Sequence, residues 1–409
     1  MIISKRIQAL EESQSFIMAA RCQQMRDAGI DVIGLSLGEP DFPTPESIKQ
    51  AAKEAIDNNF SYYGPVAGFA SLRKAVAKTL NEELHIEMEA GQLRAYTEKD
   101  ILIGVGAKQA ICASVMALIG PGDEVIVPTP CWVSYSEMVK LAEGTSVFVR
   151  TDLEHEYKLT PAQLEAVITD RSKLLMLCSP NNPTGSVYTK EELQALVDVL
   201  VKHPNIYVIA DEIYSKIRYT EAHATLAQFP EIENRVIAIN GVSKSYAMTG
   251  YRVGWLACKN TEIIGGVKKI FSQETTCTAT IAQKAAEAAL MGDQTCVEKM
   301  REAFERRRNL MVELASEIEE LKFHVPQGAF YLFPDVTAFY GRQATVEGKR
   351  YTINNCDELV DYLLDVAHVA CVAGSAFGEP RCIRFSYATS EEKITEAMRR
   401  IREAMALLK

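Results

Sequence analysis

The hydrophobic pattern changes character twice along the chain. Near the start, apolar positions recur at helical spacing, and "RIQALEESQSFIMAARCQQMRDAG" predicts one amphipathic helix ended by Gly29. "DVIGLSLGEPDFPTP" then predicts a short strand opening into a Gly/Pro loop. From about residue 100, short continuous apolar runs alternate with helical stretches. "ILIGVG" leads to a helix from Ala107, "DEVIVP" to one from Trp132, "SVFVR" to one near Pro161, and "KLLMLCSP" to one after Glu191. "IYVIADEIY", "RVIAING" and "GWLACK" follow. Strands that are apolar throughout and separated by helices predict an α/β fold with a largely parallel sheet covered on both faces. Helices from Ala279 to about Leu321 lead out of the sheet. The strands "AFYLFPDV", "HVACVAG" and "CIRFSYA" and two further helices then form a smaller α/β unit. The N-terminal helix has no partner in the sheet and is expected to pack with this unit. The expected division is 1–45 (arm and part of the small domain), 46–290 (large domain) and 291–409 (small domain).

Composition narrows the classes. A chain of 409 residues exceeds one compact core, consistent with a large and a small domain. The net charge of -10 argues against nucleic acid as the main partner, because phosphate backbones require a basic surface. The cysteines run from Cys22 to Cys382 with no CxxC pair and no histidine cluster, which points to reduced thiols and to no metal site. "MIISKRIQAL" lacks a signal-peptide core and no run approaches a membrane span, so a cytoplasmic protein is expected. "GVGAKQ" lacks the third glycine of a dinucleotide fingerprint, and neither a GxxxxGK[ST] loop nor a GxSxG elbow occurs.

Polar groups gather where the apolar strands end, which in open α/β sheets is where ligands sit. "KLLMLCSP" delivers Asn181 and Asn182, "IYVIA" delivers Asp211 and Tyr214, and "RVIAING" delivers Ser243 and Lys244. "ILIGVG" ends at Gly106, Ala107 and Lys108, where a helix start offers free N–H groups and a positive dipole end to a phosphate. An amine, a carboxylate, a phenol, an amide, an anion seat and Arg252 suit an aldehyde cofactor with a phosphate and a pyridine ring. Lys244 is flanked by small residues that leave its amine open to a flat ring, and it would bond the aldehyde carbon. Asp211 would hold a proton on the ring nitrogen, Tyr214 and Asn182 would bond the ring's phenolic oxygen, and Arg252 would pair with the phosphate. Trp132 would stack on the ring.

"GVSKSYAMTGYRVG" resembles the cofactor-lysine signature of class I, fold type I aminotransferases dependent on pyridoxal 5′-phosphate. "SLGEPDF", "YYGPVAG", "GAKQA", "PCWVSY", "SPNNPTG", "ADEIY", "PQGAFY" and "RFSYATS" match further family segments in family order across essentially the whole chain. The resemblance implies a mostly parallel seven-stranded sheet and an active site at a homodimer interface. It makes Lys244 the proton shuttle and Asp211 the group that keeps the pyridine nitrogen protonated. It seats the phosphate on the backbone amides of Ala107 and Lys108 and on Arg252, with Tyr63 reaching it from the neighbouring subunit. Arg384 would pair with the substrate's α-carboxylate, supported by the backbone at Gly38. Lys108 stands where the aspartate aminotransferase branch with "GxKQA" uses a lysine to recognise a side-chain carboxylate. That implies an L-amino acid donor, aspartate above others, and 2-oxoglutarate as acceptor, in two half-reactions through a pyridoxamine intermediate. Donors with aromatic or aliphatic side chains, and β-lyase chemistry, are the alternatives. Gly241 replaces a phosphate-binding serine of some members, and Glu11 and Glu12 fall in the stretch that lines the entrance.

Overall fold

The computed structural model describes residues 2–12, 14–84, 93–220 and 223–409. Seven strands, β1 (Ile101–Val105), β2 (Glu124–Thr129), β3 (Thr145–Arg150), β4 (Ser172–Cys178), β5 (Tyr207–Asp211), β6 (Val236–Gly241) and β7 (Val253–Ala257), form one sheet. Their order is β1-β7-β6-β5-β4-β2-β3. Only β7 runs against its neighbours; the other pairs are parallel. The continuous apolar runs are explained by burial on both faces. Ile103, Ile126, Leu175 and Val208 belong to one apolar cluster, while Leu102, Val125, Leu174 and Ile209, their neighbours in sequence, belong to another.

A third cluster draws on both chain ends. Met18 and Cys22 of helix α1 (Gln14–Asp27) pack with Phe304, Phe330, Phe385 and Ile401. The short strand Ile33–Gly34 pairs in parallel with Val369–Ala370, and Ile383–Ser386 lies between Val372–Ala373 and Tyr331–Leu332. The N-terminal helix therefore does pack with the C-terminal unit.

Three expectations need correction. The single N-terminal helix is two, Lys5–Gln8 and α1. Between them the Glu11 N–H donates to Glu137 Oε2 at 2.9 Å, so a tertiary hydrogen bond takes the place of a helical one. The strand expected in "AFYLFPDV" shrinks to Tyr331–Leu332, with Ala329 at φ 55° before it and Pro334 after it. A hairpin, Gln343–Val346 with Lys349–Thr352, was not anticipated. Glu347 and Gly348 turn it with φ of 50° and 82°, the backbone that a tight two-residue turn requires.

Ion pairs fasten the C-terminal unit to the sheet. Glu379 is fully buried and binds Arg150, the last residue of β3, and Arg381. Arg307 ties the C-terminal unit to the N-terminal segment instead, gripping Asp41 through two bonds of 2.7 and 3.0 Å. Burying the Glu379 carboxylate is tolerable because charged donors satisfy both its oxygens. Glu379→Ala should lower stability to denaturant by about 2 kcal/mol, the scale of a lost charge-assisted hydrogen bond. An unchanged unfolding midpoint would show that this clamp carries no weight.

Candidate active site

Asp211 is the last residue of β5, and its backbone lies level with Cys178 of β4 and Ile239 of β6. The three parallel strands thus end side by side and release their polar residues into one cavity of about 530 Å³. Leu37, Gly38, Ala107, Lys108, Trp132 and Asn182 line it, with Asp211, Tyr214, Ser243, Lys244, Arg252 and Arg384.

Lys244 follows β6 in a short helical turn, Val242–Ser245, and its Nζ donates to the Gly38 carbonyl at 2.6 Å. Burial pushes this amine down to about 8; Arg252 and Arg384 push the same way, while Glu39 and Asp211 oppose. Asp211 moves in the opposite sense. Burial raises its carboxyl to about 6, although it accepts from the Tyr135 hydroxyl at 2.7 Å and from the Ile213 N–H. A buried carboxylate of this kind is suited to hold a proton on a cationic nitrogen.

Arg384, on Ile383–Ser386, is 2% exposed. Its Nη1 donates to Asn182 Oδ1 at 2.9 Å and its Nη2 to the Ser36 carbonyl at 2.5 Å. The rings of Tyr331 and Phe377 lie 4.5 and 4.8 Å from the guanidinium, and its Nε has no partner. A buried cation held only by neutral groups, with one N–H unspent, is built to receive an anion.

The opposite wall is the start of helix α2 (Gly106–Leu118), which has no side-chain cap on its first N–H groups. Gly254 of β7 brings it there. A Cβ at Gly254 would lie 2.2 Å from the Ala107 nitrogen, and one at Gly106 would lie 2.4 Å from Arg252 Nη2. Gly254 pairs with both Gly104 and Gly241, so a row of three glycines crosses the sheet beneath the helix start. At Gly241 a Cβ would meet the Val253 carbonyl at 2.9 Å, which leaves no room for the serine of other members. Arg252 is anchored by its Nη1 on the Thr249 carbonyl, and the Lys108 ammonium stands 4.8 Å over the Trp132 ring.

A sequence profile for aminotransferases of class I and II matches residues 30–401. The chain belongs to this aminotransferase family. It is 41% identical over 411 positions to a bifunctional aspartate aminotransferase and glutamate/aspartate-prephenate aminotransferase of Petunia hybrida, covering all of this chain and 83% of that protein. The crystal structure of an aspartate aminotransferase from Rhizobium meliloti superposes with a TM-score of 0.93 at 39% identity, covering 100% of both chains. An aspartate aminotransferase from Thermus thermophilus with maleate gives 0.90 at 36%, covering 99% of this chain and 100% of that one.

Aspartate aminotransferases of this family depend on pyridoxal phosphate, and the aminotransferase cavity fits that group on its own chemistry. The glycine cradle, the open helix start and Arg252 suit a phosphate; the depressed amine of Lys244 suits an aldehyde; Asp211 suits a ring nitrogen. Gly106 lies just behind the lining. Tyr63 is not in the cavity of its own chain; it is 89% exposed beside Tyr62. Glu11 and Glu12 do not line the cavity either.

Two tyrosines escaped the reading of the sequence. Tyr135 holds Asp211, and Tyr331 bonds the Tyr214 hydroxyl at 2.8 Å. Both lie in quoted segments, "PCWVSY" and "PQGAFY", but as aromatic residues in apolar surroundings they read as core.

The raised Asp211 carboxyl has a stability consequence. The folded protein binds this proton more tightly than the unfolded chain, so the charge costs stability above about pH 6 and the cost vanishes toward the ordinary value of 3.8. In cofactor-free protein, Asp211→Asn should therefore be more stable than the parent at neutral pH, by about 3 kcal/mol, and equal to it in acid. Denaturant titrations at both pH values measure this; a less stable variant at neutral pH would contradict it.

Proposed function

We propose that this aminotransferase moves the amino group of L-aspartate to 2-oxoglutarate with pyridoxal 5′-phosphate, as a cytoplasmic homodimer. The observation that carries the reading is one cavity with three cations of different duty. Arg384 waits on one wall, Lys108 and Arg252 stand on the other, and the amine of Lys244 opens between them. No carboxylate pairs with Arg384, Lys108, Arg252 or Lys244 among the described residues. A dicarboxylic substrate supplies charges for two of them and the phosphate for a third. The aspartate in the names of the relatives, and maleate, itself a small dicarboxylate, with the Thermus protein, support the same choice.

When bound, pyridoxal phosphate supplies an aldehyde carbon to carry the amino group and a ring that withdraws electrons. The backbone N–H groups of Ala107 and Lys108, with the Arg252 side chain, would hold its phosphate, Asp211 would keep the proton on its ring nitrogen, and Trp132 would cover the ring. Tyr214 and Asn182 donate to its phenolic oxygen. Arg384 binds the substrate's α-carboxylate as a bidentate pair, and the Gly38 backbone flanks it. Lys108 takes the side-chain carboxylate. Lys244 Nζ, neutral above about pH 8 in the cofactor-free protein, takes the α proton and returns it on the other side of the transfer. Tyr63, exposed on its own chain, reaches the phosphate of a second copy. The absence of any helix long and apolar enough to cross a membrane, among the described residues, and ten unbonded cysteines accord with the cytoplasm.

Mixing the protein with L-aspartate alone should release oxaloacetate and bleach the visible band of the bound cofactor; 2-oxoglutarate should restore it. Lys244→Ala should abolish turnover, and a fully active variant would sink the mechanism. Lys108→Ala should cost aspartate about tenfold or more in kcat/KM, about 1.4 kcal/mol, while leaving alanine unaffected. An equal loss for both donors would remove Lys108 from substrate recognition.

A further inference from the structure

Tyr331 lines the cavity and touches Tyr214, Arg384 and the Gly38 backbone, yet no role in the chemistry has been given to it. It lies on the short strand Tyr331–Leu332, fully buried from bulk solvent, and it faces the cavity. Its hydroxyl is 2.8 Å from that of Tyr214. Its ring lies 4.5 Å beneath the Arg384 guanidinium. A Cβ on Gly38 would come within 2.2 Å of the same hydroxyl, so the oxygen also rests against the backbone that holds Lys244.

We infer that Tyr331 is a positioning residue: it donates its proton to Tyr214 and so commits the Tyr214 proton to the cofactor's phenolic oxygen. This rests on the reading of the cavity as a pyridoxal phosphate site. The number of available protons fixes the direction of that bond. Each tyrosine hydroxyl has one to give. If Tyr214 is to donate to the cofactor, the hydrogen bond between the two hydroxyls must be donated by Tyr331. Accepting that bond polarises the Tyr214 O–H and makes it a better donor, the cooperative effect of a chain of hydrogen bonds in a dry site. It also blocks the alternative in which Tyr214 turns its proton on Tyr331 and leaves the cofactor oxygen bare. The ring of Tyr331 does a second, separable job, giving Arg384 a π-face in place of a counter-ion.

The consequence is read at the nitrogen of Lys244. A strong donor draws charge off the phenolic oxygen and loosens the proton on the nearby lysine nitrogen; a weaker donor lets that proton bind more tightly. The pH midpoint of the visible band of the bound cofactor reports this without any turnover. Tyr331→Phe should raise the midpoint by about one pH unit, tenfold in proton affinity. It keeps the ring under Arg384, so the Kd for pyridoxal phosphate and the KM for aspartate should stay within about twofold, the scatter of a weak contact. Tyr214→Phe should raise the midpoint at least as far, and the double variant should match Tyr214→Phe alone, because the Tyr331 hydroxyl acts on the midpoint only through Tyr214. An unmoved midpoint in Tyr331→Phe, or shifts that add in the double variant, would overturn the inference while leaving the cofactor site standing. Loss of cofactor affinity with no change in midpoint would also overturn it, by assigning Tyr331 a merely structural role. A parent protein that gains no visible band from pyridoxal phosphate would overturn both readings together.

Discussion

The bond from Lys244 Nζ to the Gly38 carbonyl joins the end of the large sheet to the N-terminal segment, and the cavity lies where the two meet. Lys244 is carried by the end of β6 in the large sheet. Gly38 follows the strand Ile33–Gly34, which belongs with the cluster formed by both chain ends. Ser36, two residues before Gly38, caps Arg384, and Glu39, one residue after it, bonds Thr249 beside the Arg252 loop. A short N-terminal segment is thus sewn to both walls of the cavity. Moving it would separate the amine from its acceptor and free the arginine at the same time.

That seam encloses charges which water would stabilise better. Arg384 is buried on an amide, a carbonyl and two rings, Asp211 on a phenol and a backbone N–H. Each is a cost to the folded state that a ligand of opposite charge relieves. The frame around them is correspondingly firm: sheet strands buried on both faces, the clamp at Glu379, and glycines packed so closely at Gly254 that no side chain fits. Stability lost in the cavity is offset by packing elsewhere.

The sequence discloses the site unevenly, and physics explains where. Runs such as "KLLMLCSP" and "IYVIA" are legible because two-sided burial demands continuous apolar residues, and the polar groups that end them stand out. Lys244, Asp211, Asn182 and Arg252 could be assembled by that logic, whereas Arg384 needed the family segment, since an arginine on a strand reads as surface. Tyr135 and Tyr331 were hidden because their rings pack as core, while their hydroxyls bond Asp211 and Tyr214. The split of the N-terminal helix depended on Glu137, far away in the chain. Strands of two residues, such as Ile33–Gly34 and Val369–Ala370, are too short to carry a period and exist only because a partner faces them. The hairpin after Gln343 is marked in the sequence by little more than its Glu347-Gly348 turn, because its strands are mostly exposed and the second carries no apolar alternation.

The central claim is that one particular amine, among the many lysines of the chain, is the one the cavity presents to an aldehyde. Incubation with pyridoxal phosphate, reduction with borohydride and peptide mapping by mass spectrometry test it most directly. The account predicts that the label falls on Lys244 at one per chain, and that Lys108, in the same cavity, stays unlabelled. A label on Lys108, or one spread over surface lysines with Lys244 unmodified, would contradict it.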